Sequence, residues 1–168
     1  MSSCDRRRFL ALCGALAVLP GCFRPMLAEG SGASELRGRI ALPQTNDRLS
    51  YFLHDTLESR LGTPNNPDYR LEVATALTES GLLVEQDNTI TRIRVQAVAD
   101  FRLYYKDAAE PVLRDRIVTE SGYDATASLY ASRTTEQDIE RRLAKDLGER
   151  IARRIQAQAS QIEAAAQS

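Results

Sequence analysis

The sequence predicts an α+β fold, a two-layer sandwich in which a roughly four-stranded, mostly antiparallel sheet carries two helices packed on one face. Three observations lead there. Residues 69–77 and 91–105 alternate apolar and polar side chains with a period of two, the spacing of strands that bury one face. Residues 47–61 and 134–162 repeat their apolar side chains every three or four positions, as helices do. The order strand, helix, three strands, long helix leaves both helices free to cover one side of a sheet.

The domain is preceded by a segment of another kind. Arg6, Arg7 and Arg8 form a basic start, Phe9 to Leu19 an apolar run, and Leu19-Pro20-Gly21-Cys22 closes it. An apolar run of about 11 residues is too short to cross roughly 30 Å of hydrocarbon as a helix, but it suits an export signal. Small Gly21 before Cys22, with Leu19 three positions ahead of the cysteine, resembles a lipobox, where the thiol is acylated and the peptide is cut on its N-terminal side. Residues 1–21 are therefore expected to be a lipoprotein signal peptide, and Cys22 the lipidated first residue of the mature chain. Cys13 fits worse, because bulky Leu12 precedes it. Asp5-Arg6-Arg7-Arg8-Phe9-Leu10 also fits a twin-arginine signal, so two export routes stay open. Phe23, where an Asp would resemble an inner-membrane retention signal, favours the outer membrane. Acyl chains contribute about 0.8 kcal/mol per buried CH₂, so several of them anchor a protein stably.

Composition bounds the rest. At 168 residues, 43% hydrophobic and 27% charged, the chain has enough apolar material for one modest core. The net charge is −1, which argues against a general nucleic-acid binder. Arg6, Arg7, Arg8 and Asp5 belong to the signal, which leaves 19 basic against 22 acidic residues beyond it. Any acidic ligand must therefore be held by a local basic face. Cys4, Cys13 and Cys22 all precede the domain, so neither a disulfide framework nor a cysteine metal site is expected inside it.

Residues 22–35, rich in Gly and Ser after the first few, read as a tether. The domain is expected over 36–163, with 164–168 as a frayed tail. Leu36 to Leu42 reads as a short strand ended by Pro43. Thr45-Asn46-Asp47 offers a cap for a helix over Asp47 to Leu61, which Gly62-Thr63-Pro64 ends. Two long strands follow, joined through Glu79 to Asn88, where Leu82-Leu83-Val84 can extend the first of them. Val112 to Ser121 reads as the last strand, and Arg114-Asp115-Arg116 interrupts its alternation in the way a bulge would. Ile139, Leu143, Leu147, Ile151 and Ile155 mark the long helix, with Thr134 or Thr135 as its cap. Gly148 costs about 1 kcal/mol against Ala in a helix and points to a close approach there.

The chain lacks the equipment of an enzyme. No G-x-S-x-G, G-x-G-x-x-G, Walker loop or H-E-x-x-H is present, and the lone histidine, His54, reads as a surface residue. No cofactor is expected beyond the covalent lipid on Cys22. What remains is an arginine-rich sheet face: Arg92, Arg94 and Arg102 point one way on one strand, and Arg70 with Arg114 or Arg116 can join them. Guanidinium groups pair bidentately with phosphates, so such a row suits a phosphorylated glycolipid. It equally suits an ordinary solvated face, since Glu72 and Asp100 share it, or a docking surface that includes Val98 and Tyr104.

Cys22-Phe23-Arg24-Pro25-Met26 resembles the Cys-Gly-Phe-Arg-Pro-Leu-Tyr opening of alphaproteobacterial lipopolysaccharide-assembly lipoproteins, the LptE family, with one residue missing after the cysteine. Tyr123 to Ala131 is similar to that family's strand-to-helix passage, and Glu136-Gln137-Asp138 to the opening of its last helix. The resemblance implies an outer-membrane lipoprotein that plugs the LptD β-barrel, assists its assembly and binds lipopolysaccharide, facing the periplasm within the barrel. It implies a basic ligand-binding position just ahead of Glu-Gln-Asp, which is Arg133 here. A second such position falls near the Glu79–Asn88 turn, where the sequence has no Lys or Arg, so Arg92 and Arg94 are taken in its place. The other reading is an auxiliary lipoprotein of an ABC-type envelope lipid transporter.

Overall fold

The computed structural model describes residues 32–84, 90–124 and 129–166. The signal, Cys22, most of the expected tether, the hairpin connection and residues 167–168 lie outside them. Four helical segments and four strands follow in order: α1 (Gly32–Glu35), β1 (Ile40–Ala41), α2 (Arg48–Leu61), β2 (Tyr69–Val84), β3 (Ile90–Tyr105), β4 (Leu113–Asp124), α3 (Leu129–Ala157) and α4 (Ala159–Ala166). The sheet order is β1-β2-β3-β4, with β1 parallel to β2 and the other pairs antiparallel. The α+β sandwich and its four-stranded, mostly antiparallel sheet stand; the single parallel pair, β1 with β2, makes the sheet mixed, and two short helices supplement the two long ones.

Each departure from expectation has a local cause. The strand expected over 36–42 shrinks to two residues because Gly38 adopts a positive φ of 75° and turns the chain. Helix α1 starts inside the stretch expected to be tether, and Ala33 and Leu36 are buried behind it. Helix α2 matches its expected span: the Asp47 carboxylate accepts from the Ser50 N–H (2.7 Å), and the Ser50 hydroxyl accepts from the Asp47 N–H (3.0 Å). Helix α3 begins at Leu129, so Thr134 and Thr135 lie inside it rather than capping it. The expected frayed tail is helical to Ala166, held by buried Ala159 and Ile162. His54 is half-buried, not a bare surface residue. Its Nδ1 lies 2.9 Å from the Pro43 carbonyl, and since a carbonyl can only accept, Nδ1 carries the proton.

The core lies between one sheet face and the two long helices. Odd-numbered residues of β3 (Val95, Ala97, Ala99, Phe101 and Leu103) are almost fully buried. Leu49, Leu53, Leu57 and Leu61 meet them from α2, and Leu143, Leu147, Ile151 and Ile155 from α3. Burying each such aliphatic side chain stabilises the fold by about 1.5–3 kcal/mol. Helices α2 and α3 approach closely at Gly148, where an added Cβ would stand 2.9 Å from Thr56 Cβ and 3.3 Å from the Leu53 carbonyl oxygen.

No bulge occurs at Arg114-Asp115-Arg116. The β3–β4 register is continuous from Arg92↔Asp124 to Leu103↔Leu113, and the irregularity lies instead between Gly81 and Val84 of β2. Asp115 keeps the alternation because its inward carboxylate has a partner, Arg154 of α3, at 2.6 Å. Two further inward residues of β4 do the same. Thr119 donates to Asp146, and the Tyr123 hydroxyl donates to Glu136 (3.3 Å). From Asp115 to Tyr123 the strand rises about 27 Å, and from Glu136 to Arg154 the helix also rises about 27 Å, so α3 runs antiparallel along β4 in matched register.

Two expectations follow from this packing. Gly148→Ala should lower unfolding free energy by about 1 kcal/mol in urea titration, because overpacking against Thr56 outweighs the gain in helix propensity. Asp146 is pulled both ways: burial raises its pKa, but bonds from Arg150 and Thr119 lower it more, and the net lies below the ordinary 3.8. A depressed folded value gives stability above the ordinary value that fades as pH falls through the folded one. Asp146→Asn should therefore destabilise clearly at pH 7, and the gap from the parent should narrow as the pH falls below the ordinary carboxylate value, read by urea titration at each pH.

Candidate functional site

The strand alternation that buries odd-numbered residues sends even-numbered ones to the open face. Arg70 of β2, Arg92, Arg94 and Arg102 of β3, and Arg114 and Arg116 of β4 all stand exposed there. The same face carries Glu72, Asp100, Glu120 and Asp124. Six guanidinium groups against four carboxylates make it locally positive on a domain whose overall balance is negative.

The carboxylates are distributed unevenly. Arg94 meets Glu120 at 3.4 Å, Arg92 meets Asp124 at 4.0 Å, and Arg116 meets Asp100 at 3.7 Å. Arg70 pairs with Glu72 and stacks over Tyr104, its guanidinium carbon 4.5 Å from the ring centre. Arg102 and Arg114 face each other across the β3–β4 register, and neither has an ion pair among the described residues. Exposed pairs of this kind contribute about 0–1 kcal/mol each, so an incoming phosphate can displace a carboxylate at small cost. The face is thus a set of exchangeable cations.

The structure brings Arg92 and Arg94 together and separates them from Arg133. The first two lie on the open sheet face, where β3 begins. Arg133 is exposed on the first turns of α3, in the helix layer on the other side of the sheet. All three share the end of the sandwich that carries the β2–β3 hairpin, the finish of β4 and the starts of α2 and α3.

That end also holds a feature the sequence did not suggest. An open cleft of about 610 Å³ lies between α2, α3 and the end of β4, lined by Arg48, Phe52, Tyr123, Asp138, Arg141 and Arg142 among others. Asp138 holds Arg141 at 2.7 Å and Arg142 at 2.6 Å. Burial, and then the charges of Glu79 and Glu136, push the Tyr123 phenol up to about 12, so it stays a donor at neutral pH. In sequence these arginines read as ordinary helix-surface charges, because only the packing of α2 beside α3 assembles them. The run Asp138, Arg141, Arg142 was the available signal.

Among the described residues, no group of three or more His, Cys, Asp or Glu could hold a metal ion. None of their helices is long and apolar enough to cross a membrane.

Comparison with known proteins places the fold. A search of curated proteins returns no match. A crystal structure of rare lipoprotein B from Shewanella oneidensis superposes with a TM-score of 0.61 at 12% identity, covering 74% of this chain and 98% of that one. A lipoprotein from Caulobacter crescentus CB15 gives 0.59 at 18% identity, covering 77% and 96%. A minor lipoprotein from Acinetobacter baumannii gives 0.52 at 20% identity, covering 70% and 88%. At these identities the likeness is one of fold. The family model for LptE, lipopolysaccharide-assembly, matches residues 37–155, from the turn before β1 to the last turn of α3. That match spans most of the chain and nearly the whole sandwich, and the chain belongs to the LptE lipopolysaccharide-assembly family.

Proposed function

We propose that the protein is a lipid-anchored, non-enzymatic subunit of the machinery that delivers lipopolysaccharide to the outer leaflet, seated as a plug within an LptD-type β-barrel. The family match over residues 37–155 carries this reading. The lipobox ending at Cys22 supports the anchor, and Phe23 supports the outer membrane as its location. In this reading Cys22 carries the lipid, and the domain contributes binding surfaces rather than a reaction.

Lipopolysaccharide is a phosphorylated glycolipid, and the arginines of the hairpin end offer what its phosphates need. Arg92 and Arg94 present forked donors that are held in place only by exposed carboxylates. Arg133 adds a third exposed cation at the same end. We assign these three as the lipopolysaccharide-binding set, with Arg48, Arg141 and Arg142 of the cleft as neighbours that a bound headgroup can reach.

Two measurements test this reading. The tagged, lipidated chain extracted in mild detergent should bring down a large outer-membrane barrel in stable stoichiometric yield. Absence of that barrel would sink the plug role, and depletion that leaves surface lipopolysaccharide intact would favour an auxiliary role in another lipid transporter. Reversing Arg92, Arg94 and Arg133 to Glu should weaken lipopolysaccharide binding about tenfold or more, the ~1.4 kcal/mol that losing a few exposed charge contacts represents. Unchanged binding by the triple variant would remove those residues from the site.

A further inference from the structure

The charges of the open sheet face are spread unevenly along the strands. In the half away from the β2–β3 hairpin, two rows cross the sheet, Glu72–Arg102–Arg114 and Ala74–Asp100–Arg116, with Arg70 beside them. They set four arginines against two carboxylates. The uncharged row Ala76–Val98–Val118 separates this group from the hairpin half, where Arg92 and Arg94 stand against Asp124 and Glu120. The positive surplus of the whole face therefore lies in the half away from the hairpin.

Within that half the nearby carboxylates are engaged elsewhere. Glu72 pairs with Arg70, Asp100 with Arg116 at 3.7 Å, and Asp115 turns inward to Arg154. Arg102 and Arg114 are left directly opposite each other. Their backbone setting brings them close. The Lys106 N–H donates to the Asp68 carbonyl (2.7 Å), so even-numbered residues of β3 bond β2. The Leu103 carbonyl accepts from the Val112 N–H (2.8 Å), so odd-numbered ones turn toward β4. Arg102 and Arg114 thus form a non-hydrogen-bonded pair, the kind whose Cα atoms lie only about 4.5 Å apart. Like charges directly opposite in this way work against the fold. On the β2 side of Arg102, Glu72 and Asp100 line a hollow of about 270 Å³. A negative group is repelled from that side and drawn to the β4 side, between the two guanidinium groups.

We propose that Arg102 and Arg114 form a phosphate clamp, whose two guanidinium forks hold one phosphomonoester between them. A phosphomonoester offers three acceptor oxygens and nearly two negative charges, enough to accept from both forks and to cancel the opposed pair. A carboxylate offers two oxygens and one charge, which suits a single fork. Arg114 lies on the edge strand, so a ligand reaches the clamp from the side as well as from above. The chemistry recognised is the phosphomonoester itself, carried on a lipid headgroup or on a soluble ester. At ~3.4 Å per residue the clamp stands about 27 Å from Arg94 along β3. It is a separate site from Arg92, Arg94 and Arg133 and does not rest on their assignment.

Thermal unfolding of the detergent-extracted full chain tests the clamp. Without phosphate, Arg114→Gln should raise the melting temperature by about 1–3 °C, because it relieves the opposed charges. Glycerol 3-phosphate should raise the melting temperature of the parent above that in chloride at equal ionic strength, and should leave Arg114→Gln unmoved. The double variant Arg92→Gln, Arg94→Gln should respond as the parent does, which separates this site from lipopolysaccharide binding at the hairpin end. Phosphatidic acid in the same micelles, with phosphatidylcholine as the control, distinguishes the two sources. A response to it at lower concentration than to glycerol 3-phosphate assigns the clamp to a lipid headgroup, and an equal or weaker one to a soluble ester. A parent that responds to neither phosphate, or an Arg114→Gln chain that still responds, would overturn the proposal. So would an Arg114→Gln chain no more stable than the parent, or an equal shift produced by a glutamate-rich peptide.

Discussion

Three polar contacts spaced alike along a strand and a helix fix the geometry of this sandwich. Asp115, Thr119 and Tyr123 recur every four residues of β4, and Arg154, Asp146 and Glu136 answer them from α3. Apolar packing alone would let a long helix slide or rotate over a sheet, because the hydrophobic effect has no direction. Directional bonds at matched intervals remove that freedom. With α3 pinned, α2 is placed by the Gly148 contact, and the leucines of both helices close over Ala97, Ala99 and Phe101.

This register also decides which surface remains for binding. Both long helices lie on one side, so the even-numbered side chains of β2, β3 and β4 stay in water. A sheet covered on both sides would have had to bury six arginines, each costly without a partner. Leaving the face open keeps their ion pairs weak and exchangeable. The rigid layer and the adaptable layer are two sides of the same strands.

Much of this was legible in the sequence, and the exceptions have physical causes. Strict alternation in 91–105 placed Arg92, Arg94 and Arg102 on one face correctly, because a period of two leaves no freedom of orientation. The apolar spacing of α2 and α3 located both long helices. Asp115 was misread as a bulge because its alternation makes sense only with Arg154, thirty-nine positions away, in view. Gly38 shortened the first strand through a backbone angle that no side-chain pattern records. The cleft of Arg48, Arg141 and Arg142 depends on two helices meeting side by side, which no local window contains. The lipid site expected at Cys22 rests on local sequence alone and lies outside the described residues.

The two ends of the sandwich are unlike, and the difference sets a reach. Helix α1, which opens the described domain, packs beside α4, which closes it, at the foot of the sheet opposite the hairpin. The described chain therefore enters and leaves the domain at its foot. From Tyr105 at the foot to Arg92 near the tip, β3 extends roughly 40 Å at ~3.4 Å per residue, longer than the ~30 Å hydrocarbon depth of a bilayer. The length of one strand gives a short domain a long reach, with Arg92 and Arg94 at one end and its first and last described helices at the other.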